Sequence, residues 1–244
     1  MTTTPSRLLL LPFAALGDDA ALGVWARQLP QLLAALLPAE AGATALIWRD
    51  SVTGRLVRAT GALPPSVVAG EAEAAGCSTV LTGSVRRVDE GVALDVAVGP
   101  AASEPTDRMS EVLTPGREAE GVAALLRSLL QRLELSADAS APPAPLWPYL
   151  CDLEVESELL RAGTAALGDV SDGWRHLRAA AGTGAAWSNQ RLVNRRTLLS
   201  RVAPELLAAF DAESRPAAIR DYSTDDVLQL LGIESRTNSS SAQG

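Results

Sequence analysis

Residues Ser78–Val98 read STVLTGSVRRVDEGVALDVAV, and this stretch decides the fold because it predicts a β-hairpin. Two apolar-rich runs flank Asp89-Glu90-Gly91, whose composition is typical of a tight connection between antiparallel strands. In the returning run, Val92–Val98, apolar side chains alternate with smaller or polar ones. That period of two is the pattern of a strand that buries one of its faces.

The outgoing strand of the hairpin is less regular than the returning one. Leu81 and Val85 share one parity, whereas Val88 has the opposite parity. Because a β-bulge inserts one residue and restores a common face, we predict a bulge near Arg86–Arg87. In a regular strand these two arginines point to opposite faces, so we expect one of them to be exposed and available to a partner. The alternative is a solvated sheet edge, whose charges discourage unwanted strand pairing.

Strands and helices alternate around the hairpin, which is typical of an α/β domain. The order is strand, helix, strand, helix, hairpin, helix. The predicted elements outside the hairpin are a buried strand at Leu8–Phe13, a loop at Ala14–Asp19, a helix across Leu22–Leu36 that is kinked or split at Pro30, a strand at Thr44–Trp48, a helix from Pro64–Pro65 to Ala75, an edge strand at Met109–Leu113 and a helix from Arg117 to Leu133.

The stretch Ser136–Pro148 is rich in Ala, Ser and Pro and predicts a linker. After it the pattern is helical, with helices predicted at Leu150–Leu167, Trp174–Ala181, Ala186–Val202 and Pro216–Leu231. We therefore predict an α/β domain at 1–135, a linker at 136–148, an all-α helical-hairpin region at 149–236 and a disordered tail at 237–244.

The hairpin also carries a family resemblance. Val80–Arg87, which reads VLTGSVRR, and Val92–Val98 resemble the hairpin signature of the TolB-like N-terminal domain. Leu9–Phe13 is similar to the first strand of that family, and Glu71–Cys77 is similar to the end of its second helix. The resemblance covers about residues 8–133. It implies a mixed sheet flanked by helices, and an interaction or assembly role rather than catalysis.

Many relatives in that family place tetratricopeptide-like helices after the domain. The helices predicted beyond residue 148 have a similar layout, although no repeat of about 34 residues can be aligned. We interpret them as helical hairpins in the manner of degenerate repeats.

Composition excludes several kinds of chemistry. All 21 basic residues are arginine, so the chain has no lysine for a Schiff base or a Walker-type phosphate loop. The single histidine, His176, removes most histidine-based catalysis and most metal sites. Cys77 and Cys151 are distant and belong to no CxxC pair, so we expect two buried reduced thiols. We predict no cofactor, no metal and no enzymatic activity.

The net charge of −8 opposes wholesale binding to nucleic acid or to anionic membranes. Locally, however, residues 171–202 contain one acidic residue, Asp172, and six arginines: Arg175, Arg178, Arg191, Arg195, Arg196 and Arg201. These arginines are candidates for an anion-binding face. The interpretation that we favour is internal compensation by the acidic residues of the preceding helix, Asp152, Glu154, Glu156 and Glu158.

Two short motifs are better explained by structure than by chemistry. Ser84 is followed by Val85 inside a strand, whereas a nucleophile elbow needs a glycine there and a strand-to-helix turn. Gly182-Thr183-Gly184 has no preceding strand and no third glycine, so we expect a turn between helices.

The N-terminus contains a segment that imitates a short secretion signal. Arg7 precedes the apolar run Leu8–Leu16, but Pro12 interrupts this run and Asp18–Asp19 replaces a cleavage site. We therefore expect a cytoplasmic protein, and a periplasmic one if Leu8–Leu16 acts as a signal. No run is long enough to span a bilayer, and we predict no membrane partner.

These observations lead to three functional hypotheses. The leading hypothesis is a non-enzymatic interaction or assembly module that binds protein partners, including a second copy of itself. The alternative is a protein that binds nucleic acid or an acidic ligand through the arginine-rich helical face. The third hypothesis is a small-molecule sensor or an enzyme that uses carboxylates alone.

Overall fold

The computed structural model describes residues 7–49, 56–103, 105–162, 177, 179–202, 204 and 207–214. The strands are β1 (Leu8–Leu10), β2 (Ala14–Leu16), β3 (Thr44–Ala45), β4 (Thr79–Val88), β5 (Gly91–Pro100) and β6 (Asp107–Leu113). The helices are α1 (Ala20–Leu36), α2 (Pro65–Ala75), α3 (Glu118–Arg132), α4 (Leu146–Ala162), α5 (Ala186–Val202) and α6 (Leu207–Ser214).

The six strands form one mixed sheet in the order β3-β1-β4-β5-β6, and β2 pairs with β4 beyond the end of β1. Strand β1 runs parallel to β3 and to β4, whereas β4, β5 and β6 are antiparallel to one another. Helices pack on both faces of this sheet. The predicted α/β arrangement with a mixed sheet and flanking helices is therefore confirmed.

The hairpin is more regular than its sequence suggests. Strands β4 and β5 pair without interruption from Thr79 opposite Pro100 to Val88 opposite Gly91. The predicted bulge at Arg86–Arg87 is therefore wrong. Val88 is half-buried on the opposite face from the core positions, so its parity needs no correction.

A bulge-like irregularity lies instead between β1 and β2, around Pro12. Between the pairs Leu10–Leu81 and Ala14–Ser84, the first strand advances by four residues while β4 advances by three. One extra residue is therefore accommodated between β1 and β2, as in a bulge. Strand β2 consequently replaces the first half of the loop predicted at Ala14–Asp19, and residues 17–19 lie between β2 and α1.

The extra residue changes which side chains face the main core. Leu8 and Leu10 lie in the main core, and so do Phe13 and Ala15. Strict alternation from Leu10 would place Pro12 there instead. The extra residue thus keeps apolar side chains on the core face through both strands.

Helix α1 runs through Pro30 without being split. Proline has no N–H, so it leaves the carbonyl of Ala26 without its usual partner inside the helix. The N–H of Phe13 donates to that carbonyl oxygen at 2.9 Å. The N–H of Phe13, between β1 and β2, thus replaces the donor that Pro30 lacks, and the Ala26 carbonyl stays hydrogen-bonded within one continuous helix.

The main core lies between the sheet and helices α1, α3 and α4. Leu146 and Leu150 of α4 are fully buried in it, and Trp147 stacks on Trp25 of α1 with ring centroids 5.7 Å apart. Helix α4 begins inside the predicted linker 136–148, because these apolar side chains anchor it to α1. On the opposite face, α2 contributes Val68 and Ala72 to a smaller cluster.

Helix α5 coincides with the predicted helix Ala186–Val202. Leu177 and residues 179–182 are helical as well. The predicted helix Pro216–Leu231 and the predicted tail 237–244 lie outside the described residues. None of the helices within the described ranges is both long and apolar enough to cross a membrane.

Candidate functional site

Helices cover one face of the sheet but only part of the other. On the second face, α2 packs on β1 and the start of β4, and no other described helix packs over the hairpin. We call the remaining surface the open face. Its side chains form three cross-strand rows, which are Thr82, Ala97 and Arg108; Ala14, Ser84, Asp95 and Ser110; and Leu16, Arg86, Ala93 and Val112.

A groove of about 770 Å³ crosses the open face. Its floor includes the first two rows, which carry small side chains such as Ser84, Ala97 and Ser110. Its sides include the segments around Leu63 and Ala102, Val68 of α2 and Leu16 of β2. The volume lies within the range of about 300–1,000 Å³ that is usual for ligand sites.

Asp95 is the acidic group at the centre of the open face. Its Oδ1 atom accepts a hydrogen bond of 2.6 Å from the hydroxyl of Ser110. Its Oδ2 atom lies 3.7 Å from Nε of Arg86, and both side chains remain about half exposed. A carboxylate can accept about four hydrogen bonds, so Asp95 retains acceptor capacity towards the groove.

Two large apolar side chains are exposed at opposite sides of this surface. Leu16 of β2 is 41% exposed and Val112 of β6 is 45% exposed. Leu16 borders the groove, and Val112 ends the same cross-strand row on the outer strand β6.

The two hairpin arginines separate as expected from strand alternation. Arg86 lies on the open face, whereas Arg87 points to the α1 side, where its guanidinium donates to the carboxylate of Asp19. Asp19 is the N-cap of α1 and accepts a 2.8 Å hydrogen bond from the N–H of Ala21. The hydrogen bonds from Arg87 and Ala21 hold the pKa of Asp19 below its usual value. Of the two predicted contacts, only Arg86 borders the groove side of the sheet.

The arginines of α5 lie in a different environment. Asp152 of α4 is fully buried, and Arg195, only 2% exposed, donates from Nη2 to its Oδ1 atom at 2.6 Å. Arg191 pairs with both Asp152 and Glu156. Burial opposes the charge of Arg191, but the two carboxylates outweigh this effect and hold its pKa above the usual value. This geometry is that of internal compensation between two helices.

Aromatic groups surround this ion-pair cluster. The guanidinium of Arg191 lies 5.2 Å from the ring centroid of Tyr149, and Tyr149 packs edge-on against Trp187. Burial raises the pKa of Tyr149. Sequence reasoning missed these contacts, because helical spacing alone does not tell which face of α5 meets α4.

The other candidate arginines are more exposed or lie outside the described residues. Arg196 forms a bidentate ion pair with Asp211 of α6, and Arg201 is exposed near the end of α5. Arg175 and Arg178 are outside the described part of the chain. Among the acidic residues, Glu154 pairs with Arg27 and Gln28 of α1 rather than with α5.

The remaining motifs are structural. Ser84 lies within the uninterrupted β4 strand. A Cβ atom at Gly83 would come within 2.9 Å of the Asp95 carbonyl oxygen, so glycine permits a close approach here. Gly182-Thr183-Gly184 connects two helical segments. Cys77 and Cys151 are buried and form no disulfide, and no cluster of three or more His, Cys, Asp or Glu residues in the described ranges could hold a metal ion.

No protein-family model matches the chain, and no curated protein matches it either. Among solved structures, the chain is similar to TolB from Acinetobacter baumannii, with 15% sequence identity and a TM-score of 0.34. The match covers 54% of this chain and 29% of that TolB chain. This is a weak similarity at the level of the fold, and it assigns no function.

Proposed function

We propose that the chain is a non-enzymatic protein-interaction module and that the groove of the open face binds a segment of a protein partner. The observation that carries this proposal is the uneven covering of the sheet. Helices bury one face, whereas the open face presents a groove that is bordered by exposed Leu16 and lies beside the row that ends at exposed Val112.

The chemistry of the floor favours a polypeptide as the bound molecule. Small side chains at Ser84, Ala97 and Ser110 let a second backbone approach the sheet closely. Asp95 offers acceptor oxygens to backbone N–H groups or to a basic side chain. Leu16 and Val112 offer apolar area that a partner would remove from water, at about 25 cal/mol per Å².

The direct test blocks the groove without touching the core. Ala97→Arg places a long charged side chain on the floor, and Ala74→Arg makes the same change on an exposed position of α2. Each tagged protein is purified from its native cells, and co-purifying proteins are identified by mass spectrometry. We expect a protein that is retained by the unaltered chain and by Ala74→Arg and is lost with Ala97→Arg.

Two results would contradict the proposal. One is that the same proteins are recovered with Ala97→Arg as with the unaltered chain. The other is that no protein is recovered reproducibly with the unaltered chain or with Ala74→Arg. Circular dichroism of both variants checks that the fold is retained, so that loss of binding is not a loss of structure.

The alternative function, binding of nucleic acid or an acidic ligand, requires outward arginines on α5. Its test uses Arg196→Ala with Arg201→Ala, because removing Arg191 or Arg195 would take one of its two arginine partners from the buried carboxylate of Asp152. Fluorescence anisotropy with labelled oligonucleotides would have to show affinity that falls steeply with salt and is lost in this double variant.

The proposal also includes the arrangement of the helices after the sheet and the cellular location of the protein. Helix α4 packs against α5, and α5 packs against α6, which supports a run of helical hairpins after the sheet. We infer that such a module acts in the cytoplasm. Fractionation of native cells, with antibody detection in cytoplasmic and periplasmic extracts, tests this location.

A further inference from the structure

Strand β6 is an outer strand of the sheet. Among the described elements it pairs with β5 alone, over residues 107–113. Its outer side is marked by Arg132 of α3, whose guanidinium donates to the carbonyl oxygen of Arg108 at 3.3 Å. Because backbone groups alternate along a strand, the N–H and C=O groups of Ser110 and Val112 face outward as well.

We propose that two copies of this chain associate through antiparallel pairing of their β6 strands, with Ser110 of each copy facing Ser110 of the other across a two-fold axis. The axis is perpendicular to the sheet, and the two sheets become one continuous sheet. This interaction goes beyond the groove, because it uses a strand edge rather than the open face.

The pattern of residues in β6 selects this register among its neighbours. Facing residues must point to the same side of a continuous sheet, so one strand can slide past the other only in steps of two residues. Each such step moves the centre of the pairing by one residue, which makes Met109 and Glu111 the neighbouring centres. Centring the pair on Met109 pairs five residues per strand and sets Asp107 opposite Glu111 of the second copy. Centring it on Glu111 also pairs five residues and sets two glutamates against each other. Like charges that face each other directly destabilise a strand pair.

Centring on Ser110 avoids both problems. All seven residues of β6 then pair, with Asp107 opposite Leu113 and Met109 opposite Glu111 of the second copy. On the open face, Val112 lies opposite Arg108. The aliphatic stem of that arginine can cover Val112, which is 45% exposed in the single chain.

In the single chain, Arg132 partly protects the edge of β6 from pairing. Arg132 occupies one outer carbonyl, and its Nη1 atom lies 3.8 Å from Asp107. Pairing must displace the hydrogen bond to Arg108, although both groups are solvent-exposed and this contact is long. A strand edge alone buries less than the standard interface of about 1,600 Å², so we expect a dimer that forms at high protein concentration.

Dimerisation would also join the two grooves. In the proposed symmetry the two open faces lie on the same side of the continuous sheet. Arg108, Met109 and Ser110 line the groove of each chain and lie at the shared edge. The grooves are therefore neighbours across the axis, and one partner with two similar segments could occupy both.

Single-cysteine variants test the register directly. Facing residues in a hydrogen-bonded antiparallel pair have Cα atoms about 5.5 Å apart, which a disulfide can span. We expect Ser110→Cys to form a disulfide-linked dimer under mild oxidation. Val112→Cys is the matched control on the same face, and its two copies would lie about four residues apart along the strands, roughly 14 Å at about 3.4 Å per residue.

A mixture provides the second half of this experiment. Arg108→Cys mixed with Val112→Cys should form a mixed disulfide faster than either variant alone forms its own dimer. Cys77 and Cys151 are buried, and the unaltered chain measures their background. The proposed register is overturned if Val112→Cys links to itself as fast as Ser110→Cys, or if neither Ser110→Cys nor the mixture exceeds the background.

Sedimentation of the unaltered chain tests association without any new cysteine. We expect a concentration-dependent shift towards the dimer. Ser110→Pro removes an outward N–H and should abolish the shift, whereas Arg132→Ala removes the hydrogen bond that pairing must displace and should strengthen it. A monomer at all concentrations, or an equal dimer in Ser110→Pro of intact fold, would refute the proposal. Ala97→Arg leaves β6 unchanged, so this proposal and the groove proposal fail separately.

Discussion

Arg195 in α5 and Arg86 in β4 were both candidates for contact with a partner, and they lie in opposite environments. Arg195 is 2% exposed and is held by the buried carboxylate of Asp152. The Arg86 side chain is 49% exposed and lies 3.7 Å from Asp95. One guanidinium group joins two helices, whereas the other remains at the surface.

The comparison separates the number of arginines in a region from their availability. The arginine-rich stretch 171–202 has the stronger sequence signal, yet Arg191 and Arg195 face α4. The hairpin contributes only two arginines, but one of them lies on the open face. Availability depends on which helix or strand face meets a neighbour, and four experiments examine this difference.

The largest effect is expected from Asp152→Ala. This change leaves the guanidinium of Arg195 buried without its carboxylate, and it removes one of the two partners of Arg191. Breaking a buried ion pair from one side typically costs about 3–5 kcal/mol in the free energy of unfolding. Urea denaturation measures it, with Glu73→Ala on the exposed surface of α2 as the control. A loss comparable to that of Glu73→Ala would show that the cluster does not hold α5 to α4.

A smaller effect is expected from Arg87→Ala. Arg87 and Asp19 form an exposed ion pair, and such pairs contribute less than about 1 kcal/mol. Because salt screens exposed charges, the difference in unfolding free energy should shrink between low and high ionic strength. The difference caused by Asp152→Ala should change little over the same range. Equal salt dependence of the two variants would break the comparison.

The pH dependence of the same pair gives a third test. The pKa of Asp19 lies below its usual value of 3.8, so its carboxylate stabilises the fold at neutral pH. This stabilisation is lost as pH falls below 3.8 towards the pKa of the folded state. Asp19→Asn keeps an N-cap side chain and removes the charge. The difference in stability between the two proteins should therefore be largest near neutral pH and decrease with acidification, and a constant difference would contradict this account.

The smallest effect is expected from Arg86→Ala. The pair with Asp95 is loose and half exposed, so the free energy of unfolding should change by no more than about 0.5 kcal/mol. Binding of the groove partner, measured by titration calorimetry, is the readout in which Arg86 should matter more. A large loss of stability would place Arg86 among the structural arginines and remove it from the candidate site.

Local patterns predicted the parts of the fold that depend on alternation or capping. The period of two across Val92–Val98 identified β5, and the glycine after Ala75 identified the end of α2, where Gly76 adopts a left-handed conformation. Both signals depend on neighbouring residues alone. The open face was implicit in the same alternation, because Asp95 and Ser84 occupy positions opposite to the apolar ones.

Features that depend on distant partners were not predictable in this way. Val88 suggested a bulge because a single apolar residue at a strand end does not identify its face. The register change at Pro12 becomes visible only when the pairing with β4 is known. The spacing of Arg191 and Arg195 placed them on one face of α5, and the acidic residues of the preceding helix suggested their partners. Which of those carboxylates meet the arginines is a tertiary property: Asp152 and Glu156 do, whereas Glu154 pairs with Arg27.

The hydrogen bond from the Phe13 N–H to the Ala26 carbonyl makes this amide a reporter of the contact between the sheet and α1. Its proton is held by a helix carbonyl rather than by a neighbouring strand. The solvent exchange rate of that proton should therefore follow separation of α1 from the sheet, whereas the amides within β4 and β5 should follow disruption of the strands. Slow exchange at Phe13 in a variant with altered strand protection would show that the two layers stay joined while the sheet loosens at its edge.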